Sequence, residues 1–355
     1  MAKLTDGELT RLASLDRPAF EFDNVQVQRF FDRASEQGYN LDTTGFLEHP
    51  GFFQAPFRRD LSDADIVLMG APLDLGAIGL AGARHGPKAL REASRNYGPI
   101  NDRTGAIPFD MCSLVEWGDV EWSETSLSER LEDLARDSHT IASAGCYTLN
   151  AGGEHTTTFG MLKGLSEAHS DSFGLVHIDA HCDTMSTWGG DVVNDGSVFR
   201  QAALAGYIDP ARTVQIGIRG RSDFLWEFSR ESGMTVITAD EVFEQGVDWV
   251  IQRIQEVVGE QEKTYFSFDV DALDSSVMMG TTGPEPFGLL PRQVRDLIHG
   301  CYGMNIIGAD TVELNPNRDS DSGSALVAAA LHWELLCLLV DCKHRRGARG
   351  QTVWR

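Results

Sequence analysis

The chain of 355 residues carries 53 acidic against 30 basic side chains, a formal net charge of −23. An acidic excess of that size argues against nucleic acid, whose phosphates need a basic surface, and suits a small cationic ligand. With 42% apolar and 23% charged residues the composition is that of a globular protein; no apolar run is expected to approach the ~18 residues of a membrane span, no signal-peptide core opens the chain, and a cytoplasmic location follows as the expectation.

In chain order, residues 1–60 hold no chemical motif beyond a weakly helical stretch at 25–34 and a loop-like Leu47-Glu48-His49-Pro50-Gly51-Phe52-Phe53. They read as an arm lying across the body or a neighbouring subunit, with 61–355 forming one domain. Residues 65–70 are the first apolar strand, and Pro87 opens a helix at 87–94. An amphipathic helix spans 126–144, with Leu127, Leu131, Leu134 and Ile141 on one side and Ser126 with Glu129 as a capping box. Helices follow at 158–168 and 199–205, then a strand at 214–218. Helices at 224–231 and 247–258 flank a short strand at 235–237. A helix at 291–301, a strand at 305–313 and a long buried helix at 324–340 complete the pattern. Strands alternating with helices predict an α/β fold, a three-layer α/β/α sandwich around a parallel sheet. Six cysteines without paired spacing read as reduced thiols.

Polar residues cluster where three apolar strands end, the position at which α/β sheets bind ligands. After Phe173-Gly174-Leu175-Val176 come Asp179, His181 and Asp183 at spacing two; in an extended segment their side chains point one way. Upstream, Gly152-Gly153-Glu154-His155-Thr156 sets His155 just past a Gly-Gly bend. Downstream, Ser267-Phe268-Asp269-Val270-Asp271 ends a strand in two acids. Carboxylates and imidazoles aimed at one place repel one another unless a cation sits among them. Two His and four Asp exceed what one zinc takes and suit two ions, Mn²⁺ first, with Ni²⁺, Co²⁺ or Fe²⁺ also accommodated. Cys182, between two of these residues, should face away and pack, and His177 should be a satisfied core histidine.

These three motifs resemble those of the arginase/agmatinase (ureohydrolase) family, and the likeness runs in order from about Ile66 to Leu339. Gly82-Ala83-Arg84-His85-Gly86-Pro87 and Val312-Glu313-Leu314-Asn315-Pro316 agree with it. The resemblance implies an arginase-like fold and a hydrolase cleaving a C–N bond of a guanidine to give urea and an amine. It implies that His155, Asp179, Asp183 and Asp269 hold one ion and His181, Asp179, Asp269 and Asp271 the other. Asp271 would also accept a hydrogen bond from the attacking water, Glu313 would pair with the guanidinium, and Glu285 would brace a ligand. Family members are commonly trimers or hexamers, so a homo- or hetero-oligomer is expected.

One departure bears on the substrate. Where the family usually has a histidine, this chain has Asp195, which would repel a substrate carboxylate and attract a cation. The expectation is therefore a wholly cationic guanidine: guanidine, agmatine or a biguanide such as metformin, as in the nickel-dependent guanidine/metformin hydrolase branch. Trp188 would stack on a substituted nitrogen. The alternatives are a manganese agmatinase or guanidinobutyrase, a formimidoylglutamate hydrolase using Arg200, Arg219 or Arg221 for the acid, and a supporting subunit of a mixed ureohydrolase. A deacetylase is disfavoured because its histidine pair is missing.

Overall fold

Eight short apolar runs have nowhere to go but a sheet covered on both faces, and the computed structural model pairs all of them in parallel. It describes residues 4–15, 23–36, 51–187, 190, 192–220 and 223–349. The strands are β1 (Ile66–Ala71), β2 (Leu114–Asp119), β3 (Tyr147–Gly152), β4 (Phe173–Ile178), β5 (Ile208–Ile218), β6 (Thr235–Thr238), β7 (Thr264–Asp269) and β8 (Ile306–Val312), in the order β2-β1-β3-β8-β7-β4-β5-β6. Every residue of β1, β4, β7 and β8 is buried.

The helices are α1 (Asp6–Ala13), α2 (Val25–Glu36), α3 (Gly86–Ser94), α4 (Pro108–Met111), α5 (Leu127–Ser143), α6 (Thr156–His169), α7 (Val198–Leu204), α8 (Glu227–Ser232), α9 (Ala239–Gln245), α10 (Val247–Val258), α11 (Pro291–Gly300) and α12 (Gly323–Arg345). Helices α5, α6 and α7 pack as one layer, and α3, α12, α11 and α10 follow one another in the second. The chain divides into two units, Met1–Leu47 with Val353–Arg355, and Glu48–Thr352. In the first, Thr5 and Glu8 cap α1 reciprocally, and Leu4, Leu9, Leu12 and Leu15 are exposed. In the second, Phe52 donates its amide to Glu116 Oε2 at 2.9 Å and Phe57 bridges to Glu116.

Several expectations needed adjustment. Strand β5 starts at Ile208, six residues before the predicted edge, because Asp209 and Pro210 disguise its beginning. Strand β2 was missed because Glu116 interrupts its apolar run; Arg91 lies 2.9 Å from that carboxylate and offsets its burial. Helix α9 was also missed, although Thr238 and Glu241 form its capping box. At α5 the amide of Glu129 donates to Ser126 Oγ as expected, but the Glu129 carboxylate accepts from the Ser126 hydroxyl rather than its amide. Helix α12 is long and apolar enough to span a membrane by composition, with mean hydropathy 1.8, contrary to the expectation that no stretch would be. Its 18-residue core window is 72% buried inside the protein, so it is a central helix without a polar face. Residues 47–50, Trp188 and Arg221 lie outside the described residues.

Candidate metal and substrate site

The four central strands, β3, β8, β7 and β4, bring their carboxyl ends together. His155 lies between β3 and α6, Asp179 follows β4, Asp269 ends β7, and Glu313 follows β8. Gly153 permits the assembly: a Cβ there would lie 1.8 Å from Leu73 O, where the exits of β1 and β3 cross.

The six sequence-predicted ligands meet in two groups. His155 Nδ1 is 2.8 Å from Asp183 Oδ2, 3.3 Å from Asp269 Oδ2 and 3.4 Å from Asp179 Oδ2. His181 Nδ1 is 3.1 Å from Asp271 Oδ2 and 3.5 Å from Asp179 Oδ1. Asp179 thus turns one oxygen to each group. Asp269 turns Oδ2 to the first group, while its Oδ1 accepts the Asp271 amide at 2.8 Å. The segment after β4 does not stay extended as expected. Asp183 has φ +49° and reaches His155 through a left-handed turn, and Glu313 has φ +65°. Backbone strain of this kind in non-glycine residues collects at functional sites.

The charges explain what belongs there. Burial, and then the charge of Asp179, pushes Asp183 up to about 7. Burial, Asp271 and Asp179 raise Asp269 well above the carboxylate range, and burial raises Asp271. Burial would raise Asp179 too, but His177, His155 and His181 outweigh it and hold it well below. His155 Nδ1 is buried and close to three carboxylate oxygens, yet has a hydrogen-bond partner in none of them. Its Nε2 contacts Ser267 Oγ at 3.0 Å, and Ser267 in turn donates to Asp310 Oδ1 at 2.8 Å. Ser267 can then only accept from Nε2–H, so in the neutral ring it is the Nδ1 lone pair that faces the carboxylates. A lone pair ringed by anionic oxygens is a cation site, and two such groups sharing Asp179 fit two divalent ions.

His177 also stands within ligand distance of His155 and Asp179. However, its Nε2 is 2.7 Å from Asp179 Oδ2 and its Nδ1 is 3.1 Å from Gln215 Nε2, so both nitrogens are engaged and it orients Asp179. Cys182 packs against Ile218 and Trp226 as expected. Glu285 Oε1 lies 3.5 Å from His181 Nε2, on the side of the ring away from Asp271.

Beside these groups stands a second acidic set. Glu313 is 4% exposed; its Oε1 accepts the His155 amide at 2.8 Å, while Oε2 has no hydrogen-bond partner. Burial and then the charges of Asp195 and Glu154 raise Glu313 well above its usual range. Glu154, given no role from sequence, is buried and pushed up to about 7 by that burial. Asp195 accepts the Ile78 amide through Oδ2 at 3.0 Å and the Gly196 amide through Oδ1 at 2.8 Å. Sequence reasoning also passed over Asp310, whose signal was a single acid inside an apolar strand, and Gln215.

Residues 64–337 match the arginase family. The chain is 38% identical over 312 residues to an agmatinase of Citrobacter koseri, covering 85% of this chain and 97% of that one. It is 36% identical over 286 residues to the mitochondrial guanidino acid hydrolase of Homo sapiens, covering 80% and 81%. Among solved structures it is similar to proclavaminate amidino hydrolase from Streptomyces clavuligerus, with TM-score 0.79, 32% identity, and 84% and 99% coverage.

Proposed function

Since the chain belongs to the arginase family, a family of metal-dependent hydrolases that act on C–N bonds of linear amidines, we propose that its substrate is a guanidine-type compound carrying only positive charge. Glu313 Oε2 carries this reading: a buried carboxylate oxygen without a partner, flanked by Asp195 and Glu154, suits the N–H fork of a guanidinium. The surroundings of the two described candidates for a substrate carboxylate, Arg219 and Arg200, support it. Arg219 spends its donors on main-chain carbonyls. Arg200 lies over the Phe228 ring, 4.5 Å from its centroid. The leading specific proposal is a nickel-loaded hydrolase of guanidine or metformin; a manganese agmatinase is the alternative, since Mn²⁺ and Ni²⁺ both suit imidazole and carboxylate donors. A guanidino acid is the second reading, favoured by the name of the human relative.

In this mechanism His155, Asp179, Asp183 and Asp269 would hold one ion, and His181, Asp179, Asp269 and Asp271 the other. Two divalent ions bound there would supply Lewis acidity that makes an attacking water more acidic. Glu313 holds the guanidinium so that its carbon faces the carboxylate cluster. Asp271 accepts a hydrogen bond from the attacking water, takes its proton as the C–O bond forms, and passes that proton to the leaving nitrogen. Water adds to the guanidinium carbon, the C–N bond breaks, and the products are an ammonium ion and urea, or a substituted urea from a biguanide. We also propose an oligomer of at least three chains using the 1–60 arm, in the cytoplasm, where the six buried free cysteines stay reduced. Release of urea from guanidine, agmatine, arginine and guanidinobutyrate, and of the amine and substituted urea from metformin, with Ni²⁺ and Mn²⁺ loaded separately, tests the charge class. Faster turnover of guanidinobutyrate than of every cationic substrate would reject it.

A further inference from the structure

The guanidinium of Arg219 makes no ion pair among the contacts that hold it; all its N–H groups go to main-chain carbonyls. Nε donates to Pro286 O at 2.9 Å, and Nη1 donates to Gly217 O and Ala272 O, both at 3.1 Å. Nη2 is shared among Asp271 O at 2.9 Å, Glu285 O at 3.0 Å and Leu273 O at 3.1 Å. Three separate chain segments are pinned by one planar group: the end of β5, the exit of β7 at 271–273, and the loop at 285–286. The main chain at Arg219 is fixed as well, since its amide and that of Gly220 both donate to Ala180 O, at 2.9 and 2.8 Å. Gly288 makes room for the guanidinium, because a Cβ there would lie 2.3 Å from Nη2. Burial disfavours the charge of this arginine, and nearby Asp271, Asp179 and Glu285 only partly offset that. Its contribution to the site is therefore to be sought in what it positions.

What it positions lies on either side of one imidazole. Asp271 Oδ2 stands 3.1 Å from His181 Nδ1, and Glu285 Oε1 stands 3.5 Å from His181 Nε2. Arg219 grips the main-chain carbonyls of both these acids, so it sets how Asp271 approaches the shared position and how Glu285 turns the ring. We infer that Arg219 is a positioning residue for the His181–Asp271 half of the site, and that without it the ion held by that half binds weakly while the His155 half is spared. The inference rests on the ligand sets proposed above. No side chain other than arginine can supply five donors in one plane; lysine keeps the charge but only three donors on a single atom.

The test strips wild type, Arg219→Lys and Arg219→Met with a chelator and titrates each with Mn²⁺, following stoichiometry and affinity. Wild type should take two equivalents. Arg219→Met should take the first with unchanged affinity and the second about tenfold or more weakly. Its kcat should fall about a hundredfold with KM within about threefold, because the displaced groups sit at the reacting end. Arg219→Lys should fall between, and decides by the same titration if the methionine variant does not fold. Wild-type affinity for both equivalents, with only a lowered melting temperature, would show a purely structural arginine and overturn the inference. Failure of the wild type to take a second equivalent would instead overturn the binuclear reading, and this inference with it.

Discussion

Asp195 Oδ2 accepts the backbone amide of Ile78 at 3.0 Å, so the carboxylate proposed to select substrate charge also fastens the loop after β1. A single substitution therefore changes two things. At ~4 Å and an effective dielectric near ~20 the charge alone is worth roughly 4 kcal/mol, of which desolvation removes much. In Asp195→Asn the one remaining carbonyl oxygen can serve Ile78 or Gly196 but not both. We predict that kcat/KM for a cationic guanidine falls about ten- to a hundredfold, and less for guanidinobutyrate. Equal losses for both would assign the effect to the loop and leave the charge of Asp195 without a role in selection.

Asp179 offers an oxygen to each ligand group, whereas Asp271 turns Oδ2 to His181 and Oδ1 to the Ala180 amide. Asp179→Ala should therefore lose both ions and all measurable activity, while Asp271→Ala should keep about one ion per chain. Elemental analysis of the desalted variants distinguishes them, and two ions retained in Asp179→Ala would remove it as a bridge.

Glu313→Gln keeps the shape of the side chain and the bond to the His155 amide but gives up the charge facing the substrate. A charge-assisted pair becomes a neutral one, about 1–2 kcal/mol weaker. KM should rise about five- to thirtyfold with metal content unchanged, and a variant with wild-type KM would exclude Glu313 from guanidinium binding.

His332 is fully buried in α12, 2.9 Å from Thr311 Oγ1, and burial followed by the charge of Arg91 pushes its pKa down to about 3. The unfolded chain takes up this proton near pH ~6.5 and the folded one does not. The contribution to stability is thus complete above that pH and is lost as pH falls toward 3, by roughly 4–5 kcal/mol at the limit. In His332→Gln the stability measured by urea unfolding should decline less steeply between pH 7 and 4.5. Parallel pH profiles for variant and wild type would show that another group governs acid sensitivity in that range.

The exposed leucines of α1 support the proposal that the N-terminal unit is an assembly surface. Light scattering should give a mass of at least three chains, and a lower mass once residues 1–47 are removed. A fully active monomer would refute the assignment.

How much could be read from sequence depended on how local the signal was. The parallel α/β architecture showed as apolar runs spaced by amphipathic helices, and the ligand residues showed as alternating polar positions at strand ends. The expected reason for their convergence held only in part, since Asp183 arrives through a left-handed turn that spacing does not announce. Arg219 read as a free cation because its acceptors are carbonyls, which every residue has and which leave no trace in composition. The tie between Asp195 and Ile78 spans 117 positions and was invisible for the same reason. Strand β2 was hidden by a buried acid whose partner, Arg91, comes from a different element.

The strand order carries a consequence for how the protein is made. Among the described strands β8 comes last in sequence, yet it lies in the middle of the sheet, between β3 and β7. Until residues 306–312 slot in, β3 has no neighbour on that side, and His155 stays apart from Asp183 and Asp269. Strands β4 and β7 pair directly, so the His181 half can form earlier. A chain in which β8 had not yet docked would thus bring together only one half of the proposed metal centre, so that binding of the second ion would report the closing of the sheet.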